Sequence, residues 1–150
     1  MIIRKALMQD WESISILFDN YRKFYKRNAD IIGAGIFIKD RLVNNDSAII
    51  IAENEGKVIM GFVQLYPIFS STRMKRLWLL NDLFIQPEFR NKGISIALIN
   101  ECKNLCRITN SCGMVLETAK DNIIGNSLYL KTGFIPDNDH HYYEWGNEVQ

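Results

Sequence analysis

The chain has 150 residues, 47% of them hydrophobic, and a formal net charge of +1. A chain of this size buries well over half of its unfolded surface in one core and leaves little room for a second, so residues 1–150 are expected to form a single domain. The near-neutral balance excludes a strongly basic nucleic-acid binder and an acidic solvating tail, and no apolar run approaches the roughly 18 residues that a membrane span needs.

Met1 to Lys5 leads straight into a polar segment, which predicts no secretory leader and a cytoplasmic protein with neither nucleic acid nor membrane as partner. Cys102, Cys106 and Cys112 are odd in number and lack Cys-x-x-Cys spacing, and the histidines, His140 and His141, lie far from them in sequence. That pattern reads as free or structural thiols, with no metal.

In chain order, residues 2–4 predict a first strand, and Asp10 is placed to cap a helix. Ile14, Leu17, Phe18, Tyr21, Phe24 and Tyr25 then recur at helical spacing. A second helix is expected over residues 37–43, and strands over 48–53 and 58–66 form a hairpin through Asn54-Glu55-Gly56. A long strand over 76–85 feeds a helix over 93–107, followed by a strand over 113–118 and a helix over 122–132. Residues from 134 onward, with 142–145, are expected to close the sheet as two strands. The order βααβββαβαββ describes a mixed α/β fold with a mostly antiparallel sheet flanked by helices. Strand, helix and strand from residue 79 to 118 form a parallel crossover, at whose strand C-terminus ligands characteristically lie.

Two motifs carry chemistry. Arg90-Asn91-Lys92-Gly93-Ile94-Ser95 opens a helix directly after a strand. The unpaired backbone N–H groups of such a turn, from Asn91 through Ile96, together with Arg90 and Lys92, suit a phosphate or pyrophosphate, and Gly93 is where a side chain would most obstruct close approach. About thirty residues on, Asn122 precedes a helical segment, Tyr129 lies two turns along it, and Gly133-Phe134 closes it.

Together these motifs resemble the GNAT family of N-acetyltransferases. The resemblance implies that the first turn holds the pyrophosphate of acetyl-CoA, with Arg90, Asn91, Lys92, Gly93, Ile94, Ser95 and Ile96 as its residues. Ser95 stands where the family usually has Gly or Ala. The main chain of Leu83, Phe84 and Ile85 is implied to pair with the pantetheine arm and polarise the acetyl carbonyl, Asn122 to contact the cofactor or cap its helix, and Tyr129 to act as acid for the departing thiolate. The resemblance implies direct transfer to an amine, with acetyl-CoA as co-substrate and no metal. The family allows a homodimer.

A protonated amine must lose a proton before attack, and Asp82 is the nearest candidate base, placed by strand alternation on one face with Trp78, Leu80 and Phe84. A structural ion pair is the competing reading. The Asn81-Asp82 pair is similar to the Glu-Asp pair of spermidine/spermine acetyltransferases with the first acid replaced. The resemblance implies an acceptor pocket lined by the first two helices and the closing strands, which points to Tyr21, Phe24, Tyr25, Tyr142 and Tyr143 as an aromatic slot for a cation, with core packing of the same residues as the competing reading. His140-His141 reads as a solvated loop. The acceptor is expected to be a small amine of amino-acid, polyamine or amino-sugar type. A protein N-terminus or lysine is the alternative acceptor, and a non-catalytic acetyl-CoA-binding module the alternative class.

Overall fold

The computed structural model describes residues 1–147, which divide into two units, one from Met1 to Glu117 and one from Thr118 onward. The first holds β1 (Ile2–Lys5), α1 (Trp11–Phe24), α2 (Ile31–Asn44), β2 (Ala48–Glu53), β3 (Ile59–Ser70), β4 (Lys75–Ile85), α3 (Ile94–Ile108) and β5 (Met114–Val115). Its sheet has the order β1-β2-β3-β4-β5, with neighbours antiparallel except β4 and β5, which run parallel. The expected mixed sheet and its parallel crossover through α3 are therefore both present.

Strand β2 explains the layering. It reads Ala-Ile-Ile-Ile-Ala-Glu and is buried on both faces, as a continuous apolar run requires. Ile49 and Ile51 join Phe62, Phe84, Ile14, Leu17 and Ile38 in the core beneath α1 and α2. The alternate residues face α3, whose Ile94, Leu98, Ile99 and Cys102 are fully or nearly fully buried.

Local chemistry sets the helix boundaries. Asp10 precedes α1 but does not cap it, because its carboxylate is already engaged by the Arg4 guanidinium (2.7 and 2.9 Å) and the Leu7 N–H (2.7 Å). Arg4 also donates to Glu53 (2.7 Å), which ties β1 to β2. Helix α2 begins six residues before the expected start. Asp30 caps it by accepting from the Gly33 N–H (2.8 Å), and Asp30 is itself anchored through its own N–H to the buried Asp19 of α1 (2.8 Å). Gly33 and Gly35 mask this start by lowering the apparent helix propensity, although a Cβ at Gly35 would already touch the Trp11 ring.

The second unit contains α4 (Ile123–Lys131). The two closing strands expected from residue 134 onward do not form among the described residues, and Ile135, Tyr142, Tyr143 and Trp145 are exposed. Asp137 gathers the local donors instead: it accepts from the Asp139 and His140 N–H groups, the Tyr142 hydroxyl and the His140 ring. Such side-chain bonds offer the backbone an alternative to a ladder.

Strands β3 and β4 are in register from Gly61↔Ile85 to Gln64↔Asp82, but Leu65 then faces Leu80, leaving Asn81 without a partner. This bulge reverses the strand's faces. Asp82 and Phe84 point to the α1/α2 side with Gln64 and Phe62, whereas Leu80 and Trp78 share the α3 side with Leu65 and Pro67. The expected common face for Trp78, Leu80, Asp82 and Phe84 is thereby corrected. Close approach at the end of this ladder depends on Gly61, where a Cβ would lie 2.7 Å from the Phe84 carbonyl oxygen. Gly61→Ala is expected to lower stability by roughly 1–3 kcal/mol, read as the shift in urea midpoint.

Candidate active site

The bulge delivers Asp82 into a buried polar cluster. Its side chain is 3% exposed, with one carboxylate oxygen accepting from Gln64 Nε2 (2.8 Å) and the other from Asn81 Nδ2 (3.1 Å). Burial pushes the Asp82 carboxyl above the ordinary carboxylate range, and hydrogen bonds from Gln64, Tyr21 and Asn81 offset part of that rise. The Tyr21 hydroxyl also lies 3.3 Å from the Asn81 carbonyl oxygen at the bulge itself, so its single proton is shared between that carbonyl and the carboxylate.

Three of the expected aromatic residues gather here. Tyr21 packs edge-on against Tyr25 (5.0 Å between ring centres) and Phe84 (6.5 Å), and Phe24 packs on Tyr25 (5.3 Å). Burial and the Asp82 charge both push the Tyr25 phenol upward, so Tyr25 senses the carboxylate. The end of α1 thus supplies aromatic faces beside a buried anion, a combination suited to an ammonium group. Phe24 lies at the outer margin of this group, 57% exposed. Tyr142 and Tyr143 belong to the second unit and are exposed.

Beyond the bulge, β4 carries a row of backbone groups. Strand β5 pairs with β4 only at Trp78↔Met114 and Leu79↔Val115, so among the described residues Leu83, Phe84 and Ile85 have β3 on one side and no strand on the other. Their Phe84 side chain is core, and those of Leu83 and Ile85 are half-buried.

The strand then enters the basic turn. Arg90 folds back, donating from Nε to the Ile85 carbonyl (3.0 Å) and lying over the Phe84 ring, while Lys92 donates to the Glu88 carbonyl (3.1 Å) over the Phe89 ring. Asn91 (φ 61°) and Gly93 (φ 76°) are both left-handed. The first α3 hydrogen bond is from the Ala97 N–H to the Gly93 carbonyl (3.0 Å), so the N–H groups of Ile94, Ser95 and Ile96 have no acceptor within the helix, and Gly93 has no side chain to cap them. A Cβ at Gly93 would meet no protein atom within 4 Å. Glycine is demanded here by the backbone angle, and the space above it is open. Donors, cations and space together fit a pyrophosphate.

In the second unit, each position of the Asn…Tyr…Gly-Phe motif has a local task. Asn122 Oδ1 accepts from the Gly125 N–H (3.0 Å) and its Nδ2 donates to Thr118 (2.9 Å), so the side chain caps α4. Gly133 (φ 84°) ends the helix, the Phe134 N–H reaches back to the Tyr129 carbonyl (2.9 Å), and the Phe134 ring sits edge-on against the Tyr129 ring (5.7 Å). The motif therefore fixes the Tyr129 backbone and ring.

Sequence reasoning missed Gln64, Ser47 and Tyr66, which line the far side of Asp82. The available signal was one polar residue, Gln64, inside the apolar run from Ile59 to Tyr66. Among the described residues, no group of three His, Cys, Asp or Glu side chains is placed to hold a metal, and no helix is long and apolar enough to cross a membrane.

Comparison with known proteins agrees with this geometry. Residues 45–136 match the acetyltransferase (GNAT) domain model. The chain is 42% identical over 137 residues to an uncharacterized N-acetyltransferase, YhfO, of Bacillus subtilis, covering 91% of each chain. It is 31% identical over 121 residues to a probable acetyltransferase of Haemophilus influenzae, covering 81% of this chain and 83% of that one. The crystal structure of a probable acetyltransferase matches with a TM-score of 0.94 at 30% identity over the full length of both chains. A sheet whose fourth strand bulges, loses its neighbour and runs into an uncapped basic helix start is thus the framework of an acyltransferase, and the chain belongs to the GNAT acetyltransferase family.

Proposed function

We propose that this protein transfers the acetyl group of acetyl-CoA directly to a primary amine of a small molecule, with Asp82 as the base. The observation that carries this reading is the buried Asp82 carboxylate, placed by the bulge beside Tyr21 and Tyr25 and one residue before the unpaired stretch of β4.

When bound, acetyl-CoA supplies an acyl carbon activated as a thioester. The N–H groups of Ile94, Ser95 and Ile96, with Arg90 and Lys92, hold its pyrophosphate, and the main chain of Leu83, Phe84 and Ile85 binds its pantetheine arm. An alkylammonium with a pKa near 10 is only about one part in a thousand neutral at pH 7, so the acceptor arrives charged. Tyr21 and Tyr25 bind that cation, and Asp82 takes its proton. A buried carboxylate is a stronger base than one at the surface. The amine nitrogen then bonds to the acyl carbon as the carbon–sulfur bond breaks, Tyr129, assigned from the family motif, donates a proton to the thiolate, and the second proton that the nitrogen sheds on becoming an amide replaces the one Tyr129 gave. Asn122 acts by capping α4, behind Tyr129 in the motif.

Release of CoA from acetyl-CoA should therefore depend on an added amine, and a panel of amino acids, polyamines, aminoglycosides and short peptides names the class. Release with peptides alone would overturn the small-molecule reading. Asp82→Asn is expected to lower kcat/KM by about 10²–10⁴-fold and to abolish the fall in rate on the acid side of the profile. Its stability should move the other way. Because the folded-state pKa is raised, the stability linked to Asp82 is full only below the unfolded value near 4 and is lost as pH rises through the folded value, so at pH 7 the variant should melt no lower than the parent.

Tyr129→Phe is expected to cut kcat by roughly 100-fold while leaving the acetyl-CoA dissociation constant nearly unchanged, as measured by calorimetry. Gly93→Glu places a side chain at φ 76° and an anion beside the turn, and should weaken acetyl-CoA binding by at least about 100-fold in the same measurement.

A further inference from the structure

Gln64 is fully buried in the middle of β3, where its neighbours Phe62, Val63 and Leu65 are all core. Burying an amide is costly unless its hydrogen-bonding capacity is met. Here Oε1 accepts from the Ser47 hydroxyl (3.0 Å), and Nε2 donates to both Asp82 Oδ2 (2.8 Å) and the Tyr66 hydroxyl oxygen (3.0 Å). An ionised carboxylate can only accept, so the nitrogen end must face Asp82, and Ser47 occupies the other end. The amide is held from both sides.

We infer that Gln64, locked by Ser47, is a positioning residue that fixes the direction of the Asp82 carboxylate toward the acceptor amine. This rests on the assignment of Asp82 as base. An aliphatic side chain at this core position would carry no desolvation cost of its own but would take from the Ser47 hydroxyl and Asp82 Oδ2 the partner they have here, so the amide is explained by the groups it joins. The bond also favours the charged form of Asp82, so its loss makes the carboxyl hold its proton more tightly.

The groups facing Asp82 are Tyr21 and Tyr25 from α1, Gln64 and Tyr66 from β3, and Asn81 from β4, with the Arg41–Asp46 ion pair (2.7 Å) acting beyond Tyr66. Burial and the Asp82 charge push the Tyr66 phenol up to about 12, and Tyr25 is also raised. These phenols do not titrate in the acid range, so the acid side of the rate profile isolates Asp82.

The test is the pH profile of kcat/KM, with the best amine from the panel, for Gln64→Met, Ser47→Ala and Asp82→Asn. Gln64→Met should move the acid limb upward by about one pH unit or more, with the KM for acetyl-CoA unchanged. Ser47→Ala should move it in the same direction by less. A uniform fall in rate with the limb unmoved means that Gln64 only fills the core, and overturns the inference. If Gln64→Met does not fold, Ser47→Ala decides by the same criterion. Should Asp82→Asn keep the parental limb, the base assignment itself fails. Loss of the limb in Asp82→Asn with no shift in the other two variants removes the positioning role alone.

Discussion

Asn81 has no partner across the β3–β4 ladder, and much of the first unit's chemistry follows from that one extra residue. A strand alternates its side chains with period two, so a single unpaired residue exchanges the faces of everything after it. Before the bulge, Trp78 and Leu80 serve the α3 side; after it, Asp82 and Phe84 serve the α1/α2 side. Were Asn81 paired in a regular ladder instead, Asp82 would share a face with Leu80 and point toward α3, away from Tyr21, Tyr25 and Gln64.

The cost of this arrangement is a carboxylate taken out of water. It is tolerated because donors from three segments meet it, each itself anchored: Gln64 by Ser47, Asn81 within β4, and Tyr21 by its aromatic neighbours. Such a group contributes little to holding the fold together at neutral pH, and its burial is better understood as tuning its basicity. The fold gains its cohesion elsewhere, in the doubly buried β2 and in the Arg4 guanidinium that joins Asp10 to Glu53.

Legibility followed the range of the interactions involved. The β2–β3 hairpin, β4, α3 and the helix end at the left-handed Gly133 were readable because periodicity and turn chemistry are written within a few residues, whereas the left-handed angle of Gly93 emerges only from the structure. Asn122 was readable as a cap, a cofactor contact or both, and its bonds to Gly125 and Thr118 show the cap. The start of α2 was hidden by Gly33 and Gly35, whose value lies in cap and interhelical contacts. The face of Asp82 was misjudged because a bulge is a property of two paired strands and leaves no mark in either alone. Gln64 was overlooked for a related reason: its partners Ser47 and Asp82 are 17 and 18 residues away in sequence. The closing strands expected from residue 134 onward are absent among the described residues, where Asp137 collects the local donors.

Among the described residues, no strand pairs with β4 beyond Leu79 on the side away from β3. Strand amides and carbonyls that lack a strand partner are a template on which an extended chain can add, another molecule of the same protein included. A substrate that lies along those groups would remove the template while it is bound, stabilising the native state by mass action and blocking edge-to-edge association.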